Sequence, residues 1–174
     1  MNQIEIAATA TTAYLGLGSN LGDSLAYLQA AIDALQAHEQ ITVQAVSPLY
    51  CSKPYGVTDQ PDFLNAVVEI NTHLSALQLL RDVLAIEDRH GRVRLAQRWT
   101  ARTLDIDVLL YGDALIQTPE LTVPHPELCQ RSFVVYPLYD LVGDTLLPNQ
   151  QRLANCLHAL TGDDLSLLDQ RLAL

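Results

Sequence analysis

Asp105 and Asp107 are the residues whose type and spacing carry the most chemistry. Around them Leu104, Ile106, Val108 and Leu110 alternate with Thr103, Asp105, Asp107 and Leu109, and Gly112-Asp113 follows. Such alternation reads as a strand closed by a turn. It puts both carboxylates on one strand face, about 7 Å apart at Cα. Two acids that close, backed by an apolar face, require a positive partner. One source is the run Arg89, Arg92, Arg94, Arg98 and Arg102 just upstream; the other is a divalent cation. Arginines alone can neutralise the pair as a structural network. However, five guanidinium groups for two carboxylates leave positive charge over. Magnesium on the carboxylates, with the surplus arginines on phosphate oxygens, uses every part. Hard oxygen donors favour magnesium or manganese over zinc. These residue types point to a polyphosphate site.

Several other positions have a chemical and a plain reading. Phe63 and Phe133 are the only phenylalanines, and Asn65 shares a strand face with Phe63. An aromatic plane beside a carboxamide suits a flat heterocycle, stacked on the ring and read at its edge. The plain reading is core plus a satisfied amide. His125 sits between Pro124 and Pro126, which stiffen its position. It can donate to phosphate or stay merely solvated, and Arg131 is a further candidate phosphate contact. Gly16, Gly18 and Gly22 follow a strand and precede a helix, but their spacing is not that of a dinucleotide fingerprint. They read as a tight turn. The loop from Cys51 to Asp62 is long enough to be a lid or a tolerated insertion.

Composition narrows the partners. The 174 residues are 49% apolar and 17% charged, which fits one compact domain. A net charge of −10 argues against nucleic acid as the main partner. Five of the ten basic residues nevertheless lie between positions 89 and 102, a local cluster suited to a small anion. Cys51, Cys129 and Cys156 form neither a disulfide framework nor a CxxC pair, so a reducing compartment is expected. There is no apolar run of membrane-spanning length. Met1 to Thr12 lacks the basic start of a signal peptide. The expectation is a cytoplasmic monomer with no membrane partner.

Stepping along the chain, the pattern predicts a loose tail over 1–11 and a strand ending at Gly18. A helix capped at Asp23 or Ser24 runs to about Ala37, with Leu25, Leu28, Ala31, Ile32 and Leu35 on one face. A strand over Ile41 to Tyr50 comes next, then a strand over Phe63 to Thr72. A helix from Ser75 to about His90 carries Leu77, Leu80, Leu84 and Glu87 at helical spacing, and Gly91 ends it. The aspartate strand closes a βαββαβ order. That order predicts an α+β, ferredoxin-like core over 12–112, an antiparallel sheet with its helices on one face. Residues 113–174 read as C-terminal additions. Ala114 to Gln117 is expected to hairpin with the aspartate strand. Ser132 to Leu141 is expected to form a helix interrupted near Pro137, and two weak helices are expected after Gln150.

Four segments together resemble hydroxymethyldihydropterin pyrophosphokinase of folate biosynthesis. They are Gly18-Ser19-Asn20-Leu21-Gly22, Asp62-Phe63-Leu64-Asn65-Ala66, the block from Arg98-Trp99 through Arg102-Thr103-Leu104-Asp105-Ile106-Asp107 to Gly112, and Val123-Pro124-His125-Pro126. The likeness spans about positions 12 to 148. It implies transfer of pyrophosphate from ATP to 6-hydroxymethyl-7,8-dihydropterin, with release of AMP. It implies two magnesium ions on Asp105 and Asp107, and catalytic arginines at Arg92 and Arg102. Arg94, Arg98, Trp99, Thr122, His125 and Arg131 would surround ATP. The pterin would lie between Phe63 and Phe133, read by Asn65 and the Ser52, Lys53 and Tyr55 loop, with Trp99 closing over it. Thr100-Ala101 stands where the family usually has Gly-Pro, and Leu95-Ala96 where many members carry a lysine, which bears on loop dynamics. A non-catalytic pterin or nucleotide binder is the rival reading.

Overall fold

The computed structural model describes residues 9–54, 56, 58–91 and 101–174. Eight strands and four helices follow in the order β1 (Thr11–Ser19), α1 (Ser24–Gln36), β2 (Ile41–Val46), β3 (Tyr50–Ser52), β4 (Phe63–Thr72), α2 (Ala76–Arg89), β5 (Asp105–Tyr111), β6 (Ile116–Gln117), β7 (Thr122–Val123), α3 (Ser132–Val142), α4 (Leu153–His158) and β8 (Leu165–Leu167). The main sheet runs β5-β1-β4-β3-β8, with β2 also on β4, and every pair in it is antiparallel. Through β5 this is the ferredoxin-like arrangement.

The local reasons are legible. Asp23 Oδ1 accepts from the Ala26 amide and caps α1, and Ser75 Oγ accepts from the Gln78 amide and caps α2. The long strand expected over 41–50 is instead two, β2 and β3. Pro48 cannot donate to a ladder, and Ser47 bridges the gap. The Ser47 amide donates to the Val67 carbonyl, and Ser47 Oγ accepts from the Val67 amide.

One core lies between the sheet and α1/α2. Leu15, Leu17, Val68, Ile70, Ile106 and Val108 meet Leu28, Ile32, Leu79 and Val83 there. The buried face of α2 is Ala76, Leu79, Val83, Ile86 and Glu87, a rotation from the Leu77, Leu80 and Leu84 stripe that spacing predicted. A second core covers the opposite face, where Val67, Leu109 and Leu110 meet Val134, Val135, Leu138 and Leu153. Helices therefore cover both faces, not one. A bulge permits this. The β1–β5 register steps from Leu15↔Val108 to Tyr14↔Leu110, so Leu109 is the extra residue and Leu110 turns to the second face. Strict alternation had placed Leu110 with Ile106 and Val108.

The additions differ from expectation in three further ways. β6 pairs with β7, not with the aspartate strand. α3 continues through Pro137. After Gln150 come one helix and one strand, and β8 extends the sheet along β3. Cys129 and Cys156, which no motif joins, form a disulfide across 27 residues. It ties the 3-10 turn Leu128–Gln130 to α4.

Cys156→Ser should lower stability by about 3.5 kcal/mol, the chain-entropy estimate for a loop of this length. Urea unfolding with and without reductant measures it. Coincident curves for the variant and the oxidised wild type would contradict the bond's role.

Candidate active site

The site is built on three strands side by side. Gly18 of β1 is opposite Asn65 of β4 and Asp105 of β5; Gly16 is opposite Val67 and Asp107. Neighbouring strands lie about 5 Å apart, so Asn65 and Asp105 flank a bare strip about 10 Å across. The glycines keep that strip open. A Cβ on Gly18 would sit 3.5 Å from Asn65 Oδ1, and one on Gly16 3.5 Å from the Leu109 side chain. Their part is an open floor as well as the turn that their spacing signalled.

Over this floor lies a cavity of about 360 Å³, within the range of small-ligand sites. On one side it is lined by Phe63, Asn65, Ser52 and Lys53, on the other by Arg102, Asp105 and Asp107. Glu127, Arg131, Ser132 and Phe133 line it from the second layer. The sequence candidates Arg102, Asp105, Asp107, Ser52, Lys53, Phe63, Asn65, Arg131 and Phe133 are thus brought together. Thr122 on β7 and His125 in the loop after it do not line the cavity. Arg92, Arg94, Arg98, Trp99 and Tyr55 lie outside the described residues.

Each carboxylate holds a guanidinium. Arg102 Nη1 is 2.7 Å from Asp105 Oδ2, and Arg131 Nη1 is 3.2 Å from Asp107 Oδ2. Arg131 also pairs with Glu127, and its guanidinium carbon is 5.7 Å from the Phe133 ring centre. His125 Nε2 lies 3.8 Å from Asp107 Oδ2, too long for a hydrogen bond. It is an ion pair only when the ring is protonated. Burial first, and then the charge of Arg131, lower the His125 pKa. Nδ1 accepts from the Glu127 amide, which leaves the proton of the neutral ring on Nε2.

The Asn65 amide is held in one orientation. Its Nδ2 donates to Ser52 Oγ at 2.9 Å, which leaves Oδ1 over Gly18 as an acceptor on the floor. Among the described residues no group of three or more His, Cys, Asp or Glu side chains is arranged to hold a metal. Two carboxylates beside a cavity do fit magnesium, which keeps several waters and shares phosphate oxygens. They do not make a zinc cage.

Two residues outside the cavity lining support its walls. Glu87 is fully buried on α2, and its Oε1 accepts from the Ile106 amide at 2.7 Å. Among the described residues β5 is an edge strand, so Glu87 supplies the acceptor that a neighbouring strand would have given, midway between the two aspartates. A carboxylate at an apolar helix spacing was the available signal. Asn20, 3% exposed, accepts from the Arg102 amide through Oδ1 at 2.8 Å. Its Nδ2 donates to Gln60 Oε1 and to the Pro61 carbonyl.

With this geometry in view, the family comparison decides the kinship. The family model of 7,8-dihydro-6-hydroxymethylpterin-pyrophosphokinase matches residues 14–143. The chain belongs to this family. It is 47% identical over 140 residues to the 2-amino-4-hydroxy-6-hydroxymethyldihydropteridine pyrophosphokinase of Haemophilus influenzae, covering 80% of this chain and 87% of that one. It is also 47% identical over 146 residues to the enzyme of the same name from Pseudomonas aeruginosa, covering 84% and 90%. Among solved structures, wild-type Plasmodium falciparum HPPK-DHPS matches with a TM-score of 0.66 at 12% identity. That match covers 86% of this chain and 44% of the other, so this chain spans about half of that longer protein. An HPPK-DHPS solved in complex with substrates gives a TM-score of 0.70 at 11% identity, covering 87% and 43%. These two show the shared fold.

Glu87→Ala strands the buried Ile106 amide and should cost about 2 kcal/mol of stability. Glu87→Gln keeps Oε1 as an acceptor and should recover most of that. Chemical denaturation of the two variants checks the pairing; equal losses would reject it.

Proposed function

We propose that the chain transfers pyrophosphate from ATP to 6-hydroxymethyl-7,8-dihydropterin, giving AMP and the pterin diphosphate in folate biosynthesis. One observation carries the reading: Asn65, Gly18 and Asp105 stand in a row, so a heterocycle reader and a carboxylate pair face each other across a side-chain-free floor. A ring held at the Phe63, Phe133 and Asn65 end would present its hydroxymethyl group toward the Asp105 and Asp107 end.

In the proposed reaction the hydroxymethyl oxygen attacks the β-phosphorus of ATP in line. An O–P bond forms, the bond from the β-phosphorus to the bridging oxygen of AMP breaks, and the hydroxyl proton leaves. Asp107 is the candidate acceptor for that proton. Asp105 and Asp107 would hold two magnesium ions, which when bound neutralise charge on the polyphosphate. Arg102 and Arg131 already face the carboxylates. They would exchange to phosphate oxygens and stabilise the charge that develops there. Neutral His125 would donate from Nε2. The family likeness adds Arg92 to the catalytic arginines, and Arg94, Arg98, Trp99 and Thr122 around ATP. It puts Ser52, Lys53, Tyr55 and Trp99 on the pterin.

Both substrates are small, so this reading takes a monomer as sufficient for the reaction. ATP as co-substrate favours the cytoplasm. The Cys129–Cys156 bond counts the other way, since disulfides are rare in reducing compartments. No helix among the described residues is long and apolar enough to cross a membrane.

Asp107→Ala should cut AMP formation by about a thousandfold, the upper range for one lost electrostatic contact. Pterin affinity should stay near that of the wild type. Protein, ATP, magnesium and the dihydropterin are mixed and AMP is counted. Near-normal turnover would refute the role of the carboxylates.

A further inference from the structure

The family match ends at residue 143, yet Asp164, beyond that match, lines the same cavity. We propose that Asp164 is a positioning residue that holds two walls of the pterin end of the cavity at a fixed spacing. This inference rests on the reading of that end as the pterin site.

Asp164 sits on one short strap, residues 162–167, that touches both walls. Its side chain reaches one wall: Ser132 Oγ donates to the Asp164 carboxylate, at 3.0 Å to Oδ1 and 2.9 Å to Oδ2. Ser132 is itself buried, 6% exposed, and precedes Phe133 in the first turn of α3. The Arg131 side chain makes no capping bond to that helix. The bond from Ser132 therefore ties the first turn of that helix to the strap. The Asp164 main chain reaches the other wall, where the Lys53 amide donates to the Asp164 carbonyl at 3.4 Å. β8 then continues the contact, with Ser52 opposite Leu165.

The strap is held where it is by α3. Gly162 has a φ of +68°, and a Cβ there would lie 2.4 Å from Tyr136 Oη. Only glycine fits so close an approach. The Leu165 amide donates to the Gly162 carbonyl at 3.0 Å and closes the turn that carries Asp164. Asp164 is thus tied through Ser132 to the Phe133 wall and through Lys53 to the Ser52 wall. Ser52 in turn fixes the Asn65 amide. Losing the side-chain tie would loosen the ring-stacking wall against the edge-reading wall, and leave the Asp105–Asp107 end as it is.

Titration calorimetry on the full chain, with a non-hydrolysable ATP analogue and magnesium present, measures dihydropterin affinity. Asp164→Ala should weaken it about five- to tenfold, the size expected for one net hydrogen bond. The pterin KM should rise in step, and kcat should fall less than KM rises. Affinity for the ATP analogue alone should change by less than about twofold, as for a site without shared partners. Asp164→Asn retains an oxygen that accepts from Ser132 and should restore pterin binding. Ser132→Ala should reproduce Asp164→Ala, and the double variant should be no worse than either. Unchanged pterin affinity in Asp164→Ala overturns the proposal, as does an equal loss for the ATP analogue. Failure of Asn to rescue also overturns it, because the charge would then act on the ligand directly. Asn65→Ala separates the two levels. If it loses pterin while Asp164→Ala does not, the strap role fails and the site reading stands. If both bind pterin normally, the site reading fails and the strap proposal falls with it.

Discussion

The neutralisation of Asp105 and Asp107 is the constraint on which the rest depends. Both carboxylates are partly solvent-exposed, at 19% and 33%. Ion pairs that keep some contact with solvent are held less tightly than dry, fully buried ones, so their guanidinium partners can be exchanged. A buried pair would resist exchange, because separating it would strand a desolvated charge. The site therefore joins rigid carboxylates to exchangeable arginines. The rigidity comes from below: Ile106 between them is packed in the first core and its amide is held by Glu87. Exchange becomes possible above, where the cavity opens beside both pairs.

The second layer shapes that opening. Without the bulge at Leu109, Leu110 would point back into the first core, and the face beneath α3 would lose a large apolar contact. With it, Leu109, Leu110 and Val67 anchor α3. The N-terminal end of that helix then delivers Arg131, Ser132 and Phe133 to the cavity. Arg131 reaches Asp107 from this layer, so the charge partner of one aspartate is positioned by packing some 24 residues away in sequence.

The βαββαβ order and both caps were readable because they rest on local signals: alternation, helical spacing, Asp23 and Ser75. The site candidates were readable from residue type and from the family likeness. What escaped rests on distant partners. A leucine pair at 109–110 reads as unbroken alternation, and only the register against β1 reveals the bulge. Pro48 was a visible signal whose weight against the run from Ile41 to Tyr50 was missed. Glu87 looked like one position of an apolar stripe, since its acceptor role depends on β5 lacking an outer neighbour. The disulfide and β8 arise from chain segments that meet only in the folded state, and β8 is too short to declare itself by periodicity.

Asn20 shows how the two ends of the cavity come to share one reference frame. It is one buried amide with both of its polar atoms engaged. Oδ1 fixes the backbone of Arg102, and the Asn20 and Leu21 amides both donate to the Arg102 carbonyl. Nδ2 fixes the Gln60–Pro61 stretch that leads into Phe63. Arg102 belongs to the carboxylate end and Phe63 to the aromatic end. A buried amide leaves little slack, because each lost bond strands a desolvated donor or acceptor at about 1–3 kcal/mol. The Arg102 side chain can therefore leave Asp105 while its backbone stays in register with the wall that carries Phe63 and Asn65. A transfer between two substrates needs this, since reacting atoms must stay within a few tenths of an ångström of their approach line as the charges around them are rearranged.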